Sequence, residues 1–158
     1  MKIRNGLLVW IVAFLCSSAG PVWAQTPPVR GQTVYAAVYS HIYSGDRERP
    51  IYLAATLSIR NTDLHQPIRI IGVDYHDSEG RLLTKYLAAP IALPPLSSTR
   101  YVIKESDKSG GSGACFIVRW NADRKVVPPL VESVMIGTRG QQGISFTSRG
   151  QVIAEETE

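Results

Sequence analysis

Residues 114–121 read Ala-Cys-Phe-Ile-Val-Arg-Trp-Asn, and this stretch decides the fold class. Successive side chains of an extended chain point to opposite faces. Ala114, Phe116, Val118 and Trp120 therefore share one side, and Cys115, Ile117, Arg119 and Asn121 share the other. Residues 53–60 repeat the pattern, with Leu53, Ala55, Leu57 and Ile59 opposed by Thr56, Ser58 and Arg60. Strands with one apolar and one polar face belong to an antiparallel sheet that packs a single side on a core.

Outward from these two segments, short runs rich in Val, Ile, Thr and Tyr alternate with clusters of Gly, Pro, Asn and Asp. The spacing predicts strands over 33–43, 52–61, 68–77, 81–87, 98–105, 114–121, 131–137 and 143–148. No stretch keeps the helical period of about 3.6 residues for three turns. Thr62-Asp63, Pro94-Pro95 and Pro128-Pro129 punctuate the strands, and Asp77-Ser78-Glu79-Gly80 is the sharpest turn, with Gly80 free to take a positive φ. The reading is an all-β, antiparallel β-sandwich of seven to eight strands, immunoglobulin-like, with a closed barrel as the alternative architecture.

Residues 1–24 carry a different message. Lys2 and Arg4 precede the apolar run Leu7 to Cys16, and small residues lead to Val22-Trp23-Ala24. This is the order of a secretory signal peptide, expected to be cleaved after Ala24. The apolar run is too short for a bilayer span of roughly 20 residues, so no transmembrane anchor is expected after cleavage. The expected organisation is a signal peptide (1–24), a disordered start (25–32), one sandwich domain (33–153) and a disordered acidic tail (154–158). The address is the periplasm, or otherwise the medium.

Removal of 24 residues from 158 leaves 134, enough for one core. The remaining 15 basic and 13 acidic residues are interspersed, a mixed surface without the footprint of a nucleic-acid binder. Cys115 is the only cysteine beyond residue 24, so that part of the chain can form no internal disulfide.

Three surfaces are candidates for function. Tyr35, Tyr39, His41 and Tyr43 alternate along one face of the first strand and run into Asp46 and Arg47. Rings beside charges suit contact with a protein or glycan; the competing reading makes these rings the core face of that strand. The second surface is the loop containing Glu105, Ser106, Asp107, Gly110, Gly111 and Ser112. Its Gly-Gly-Ser-Gly superficially matches a nucleophile elbow, but that elbow needs a helix after the serine, whereas residues 115–118 read as strand. An anion-binding nest is a second reading of the loop, opposed by Glu105 and Asp107. A flexible hairpin loop is the plain one. The third candidate is Asp74 with His76, two apart on a strand, a weak pair for a divalent metal unless His41 or His65 arrives from elsewhere.

The runs Tyr39-Ser40-His41-Ile42-Tyr43-Ser44-Gly45-Asp46, Thr56-Leu57-Ser58-Ile59-Arg60-Asn61-Thr62-Asp63, Glu105-Ser106-Asp107-Lys108-Ser109-Gly110-Gly111-Ser112-Gly113 and Met135-Ile136-Gly137-Thr138 resemble a bacterial exported family known only as a domain of unknown function. That resemblance covers nearly all of the chain beyond residue 24 and implies no activity, cofactor or catalytic residue. A looser similarity, through Asn61-Thr62-Asp63 and Val73-Asp74-Tyr75-His76-Asp77, is to immunoglobulin-like modules of the bacterial envelope. The expectation is a non-catalytic interaction module, with no cofactor, whose partner is an envelope protein or glycan. The alternative is a small-ligand or metal-binding protein.

Overall fold

The computed structural model describes residues 27–138 and 143–155. The predicted signal peptide lies outside them. The described residues form twelve strands and no helix: β1 (Val29–Ala37), β2 (His41–Ser44), β3 (Arg49–Tyr52), β4 (Ala54–Arg60), β5 (Ile68–His76), β6 (Leu82–Lys85), β7 (Ile91–Leu93), β8 (Ser98–Ile103), β9 (Cys115–Val126), β10 (Leu130–Gly137), β11 (Ile144–Arg149) and β12 (Gln151–Glu155). A six-stranded sheet has the order β12-β1-β9-β5-β6, with β7 also paired to β5. A four-stranded sheet runs β11-β10-β4-β8, and β2 and β3 form a separate hairpin. All pairings are antiparallel. The architecture is a sandwich of two sheets and not a closed barrel.

The alternation read from residues 53–60 and 114–121 fixes the core. Leu53, Leu57, Ile59, Phe116, Val118 and Trp120 are completely buried, and Ala55 and Ala114 nearly so. Met135 joins them from β10 and Tyr75 from β5. Tyr86 links the two layers, its ring 5.8 Å from Phe116 in one sheet and 5.1 Å from Tyr101 in the other. The fully buried Ser133 of β10 donates a hydrogen bond to the Ala37 carbonyl of β1, a second tie across the core.

Four expectations are corrected. The predicted strand 33–43 is two elements, because at residues 38–40 the chain leaves β1 to bond elsewhere: Val38 N donates to Ala114 O (3.0 Å) and Ser40 N to Gly111 O (2.9 Å). Its face is also inverted relative to the aromatic-core reading. Val34, Ala36 and Val38 are the buried side, and Tyr35, Tyr39 and His41 are half-buried on the other. Small residues fit there because Ala36 sits opposite Phe116 and Val34 opposite Val118 in the register, where β9 already supplies the bulk. Third, the segments expected to be disordered contribute structure: β1 starts at Val29, and Ala154 and Glu155 end β12, where Gln32 Nε2 donates to Glu155 Oε1 (3.1 Å). Lastly, the strand count exceeds seven to eight, since β3, β7 and β12 are short or exposed and leave little periodic signal.

The strand directions sort the connections into two ends. One holds residues 61–67, 94–97 and 127–129; the other holds the β2–β3 hairpin, the 77–81 turn and the 104–114 loop, while β11 and β12 run in the same direction and the chain steps between the sheets at Gly150.

Candidate functional site

At the hairpin end, the β2–β3 hairpin is closed by a turn in which Glu48 N donates to Gly45 O (3.0 Å). Strand pairing sets His41 opposite Tyr52 and Tyr43 opposite Pro50. The His41 and Tyr43 rings meet edge to face at 5.0 Å, and His41 Nε2 is 3.0 Å from the Tyr43 hydroxyl. Tyr52 adds a third ring 6.0 Å from His41, and Lys108 Nζ lies 4.2 Å above the Tyr52 ring. Tyr43 is 56 % exposed, and Asp46 and Arg47 at the tip are exposed as well. Such a patch offers flat apolar area, hydroxyl and imidazole handles, and a cation held by a ring face.

Of the six residues singled out from the sequence, the structure brings His41 and Tyr43 together, puts Asp46 and Arg47 at the hairpin tip, and leaves Tyr35 on β1 beside Cys115. Tyr39 departs from them, its ring packing edge to face on Phe146 of β11 at 5.7 Å. Tyr52 and Lys108 belong to the cluster and were missed. Their one legible signal was the alternation of Tyr52 with the strand pattern; Lys108 arrives through a loop whose path the sequence does not encode.

That loop is not a hairpin. It carries the chain from β8 in one sheet to β9 in the other, and hydrogen bonds fix it along its length. Ser78 N and Ser78 Oγ both donate to Gly110 O (3.0 Å each), and Gly113 N donates back to Ser78 Oγ (2.9 Å). Gly110 lies so close to the Tyr75 hydroxyl that a Cβ would overlap it. The Asp107 carboxylate accepts from Ser109 N (2.9 Å) and Ser109 Oγ (2.6 Å). The amides of Ser109 and Gly113 are thereby engaged within the chain. Ser112 is half-buried and is followed by β9, so the strand–serine–helix geometry of an elbow does not form here. Glu105 is half-buried and Ser106 exposed on the same crossover.

Asp74 and His76 share the outer face of the six-stranded sheet but are engaged separately. Asp74 Oδ2 accepts from Arg119 Nη2 (2.9 Å), and His76 Nδ1 is 3.0 Å from Gly80 O. Among the described residues no three His, Cys, Asp or Glu side chains gather as a metal site. On the same face Cys115 is buried beside Tyr35; burial pushes its thiol pKa up, against a hydrogen bond from Tyr35 that lowers it.

The other end is organised by the Asn-Thr-Asp run, which from sequence was only punctuation. Asn61 is 2 % exposed, and its Nδ2 donates to Gln66 O (2.9 Å), Leu93 O (3.1 Å) and Pro94 O (3.0 Å). Thr62 Oγ1 donates to Pro128 O (2.9 Å). Asp63 accepts from the amides of His65, Gln66 and Val127, and these bonds hold its carboxyl below the usual carboxylate range. Beside it a cleft of about 290 Å³ lies between the sheets, lined by Val34, Val127, Leu130, Val152 and Arg149 among others.

Comparison with known proteins adds a family and little chemistry. No curated protein matches the sequence. The chain is similar to a protein in a solved structure titled "Crystal Structure of Thermotoga maritima 1070", at 10 % identity and a TM-score of 0.47 over 82 % of this chain and 98 % of that one. Residues 31–153 match the family described as "Protein of unknown function (DUF3124)", from β1 to β12. The chain belongs to the DUF3124 family.

Proposed function

We propose that this protein is an exported, non-catalytic interaction module of the periplasm or cell envelope, and that its hairpin end is the contact surface. The observation that carries the reading is the His41–Tyr43–Tyr52 ring cluster with Lys108 above it, raised on a two-stranded hairpin outside both sheets. Aromatic groups with polar handles contribute most of the binding energy in many interfaces, and they lose little conformational freedom on binding. Asp46 and Arg47 at the hairpin tip add charges of both signs, which favours orientation over bulk attraction. The residue order of positions 1–24 supports export. The partner is an envelope protein or glycan.

The test compares the immobilised protein with a Tyr43→Ala/Arg47→Ala variant in envelope extract and against isolated cell-wall glycan. Both side chains are exposed, so the melting temperature should be unchanged. The expected result is a component retained by the native protein and lost from the variant. Equal retention by both would remove the hairpin from the interface.

The alternative, a small-ligand or divalent-metal protein using Asp74 and His76, is not favoured by any specific observation. Their polar atoms already serve Arg119 and the 77–81 turn.

A further inference from the structure

The two most exposed large apolar side chains among the described residues are Leu96 (67 %) and Leu64 (66 %), and both lie at the Asn61 end. Val127 (43 %) is there too, its amide bonded to Asp63. Single exposed apolar residues on a surface need no explanation. These three differ in being carried by neighbouring loops with little freedom to withdraw them. Asn61 ties the 61–66 loop to Leu93 and Pro94, its amide donates to Ser97 O (2.9 Å), and Thr62 ties it to Pro128. Leu96 is held at φ 58°, the left-handed region that bulky side chains avoid.

Charge at this end divides between paired and unpaired groups. Asp123 and Glu132 are paired with Arg69 (2.8 Å) and Arg60 (3.4 Å), whereas Asp63 accepts from three amides and Glu155, at the end of β12, from Gln32 Nε2. Arg124 and Lys125, three and two residues before Val127, are exposed, as is Arg149 at the adjoining cleft. No ion pair among the described residues engages these three.

We propose that the Asn61 end docks on an anionic lipid surface, with Leu64, Leu96 and Val127 entering the headgroup layer and Arg124, Lys125 and Arg149 lying against lipid phosphates. Apolar tips on rigid loops, flanked by unspent cations, match the two requirements of peripheral membrane binding: buried apolar area and attraction to anionic lipid. Polar loop backbone separates the tips, and a fluid interface fills such gaps where a folded protein partner would need matching relief. This assignment is independent of the hairpin reading and uses the opposite end of the molecule.

The test uses the full chain with Cys16→Ser, adding Leu64→Cys, Leu96→Cys or Leu82→Cys, each labelled with an environment-sensitive fluorophore. Leu82 is an exposed control on β6 towards the hairpin end, and the unsubstituted Cys16→Ser chain, with its buried Cys115, sets the blank. Residues 1–24 are common to every variant, so any anchoring they give is common too. On vesicles of equal parts phosphatidylglycerol and phosphatidylcholine, probes at 64 and 96 should shift to the blue while the probe at 82 does not. Phosphatidylcholine alone, high salt, or Arg124→Glu with Lys125→Glu should weaken the shift by roughly tenfold or more. No shift at 64 and 96 overturns the assignment and gives the tips to a protein partner. An equal shift at 82, or one indifferent to lipid charge, also overturns it.

Discussion

Asn61 shows how one polar side chain determines the shape of an end. Its amide group satisfies carbonyls from two separate loops, and its Oδ1 accepts from Asp63 N (3.0 Å), so each partner would otherwise be a buried or half-buried group without a bond. Leaving such groups unsatisfied costs more than the net worth of the bonds themselves. Asn61→Ala should therefore lower stability by about 2–4 kcal/mol, read from urea denaturation, and Asn61→Asp should do no better because a carboxylate cannot donate. A loss within about 0.5 kcal/mol would mean the loops hold without it. The sequence displays Asn-Thr-Asp only as a break between strands, since two of the three carbonyls that Asn61 serves lie 32 and 33 positions away. What was legible at this scale was local: the positive φ of Gly80 (79°) follows directly from a turn that needs it. The candidate site was legible in the same measure. His41 and Tyr43, two apart on one strand, were found, whereas Lys108 over Tyr52 depends on a crossover and was not.

Among the elements, the β5–β6 connection has the clearest electrostatic design. The Asp77 carboxylate accepts from Arg81 N (2.8 Å), Arg81 Nε (2.7 Å) and Glu79 N (3.0 Å). Burial alone would raise its pKa, but the bonds from the Arg81 side chain and from the Arg81 and Glu79 amides outweigh burial and hold it below the usual carboxylate value. A folded pKa below the unfolded one gives stability above the ordinary carboxylate range, about pH 4, that disappears as pH falls through the lower folded value. Asp77→Asn keeps the shape and removes the charge, so it should destabilise the protein at neutral pH. The gap between variant and native urea midpoints should then narrow from neutral pH to an acid pH below the ordinary carboxylate range, as native Asp77 takes up its proton as well. A gap of the same size at both pH values would assign the effect to shape and not to charge. Periodicity explains which elements could be read ahead of the structure. β4 and β9 alternate apolar with polar residues and declare their buried faces. β1 has apolar residues on both faces, so alternation could not choose between its rings and its small residues; the choice was made by the bulk of Phe116 and Val118 on the neighbouring strand.

Across the whole molecule the chain passes between the two sheets at residues 38–53, 61–67, 94–97, 104–114, 127–129 and at Gly150. Neither sheet is made from one continuous segment, and each strand of the core depends on partners far along the chain. The sheets also share their apolar face: Phe116, Val118 and Trp120 from one meet Ala55, Leu57, Ile59 and Met135 from the other in a single cluster. A sheet unfolding alone would expose the whole inner face of its partner, which favours one cooperative transition. Trp120 is completely buried and reports on the six-stranded sheet, while Leu57 belongs to the four-stranded one. In a chain with Trp10 and Trp23 replaced by phenylalanine, Leu57→Ala should lower stability by about 2–5 kcal/mol, the usual cost of a large-to-small change at a closed core position. The midpoint seen by Trp120 fluorescence should fall with that seen by far-ultraviolet circular dichroism, with the denaturant slope unchanged. A variant whose Trp120 transition stays in place while the dichroism moves would show that the sheets unfold separately despite their shared core. Coincidence would tie both ends of the molecule, the aromatic hairpin and the Asn61 corner, to the stability of one core, so that a core mutation should weaken binding at either end only through the folded population.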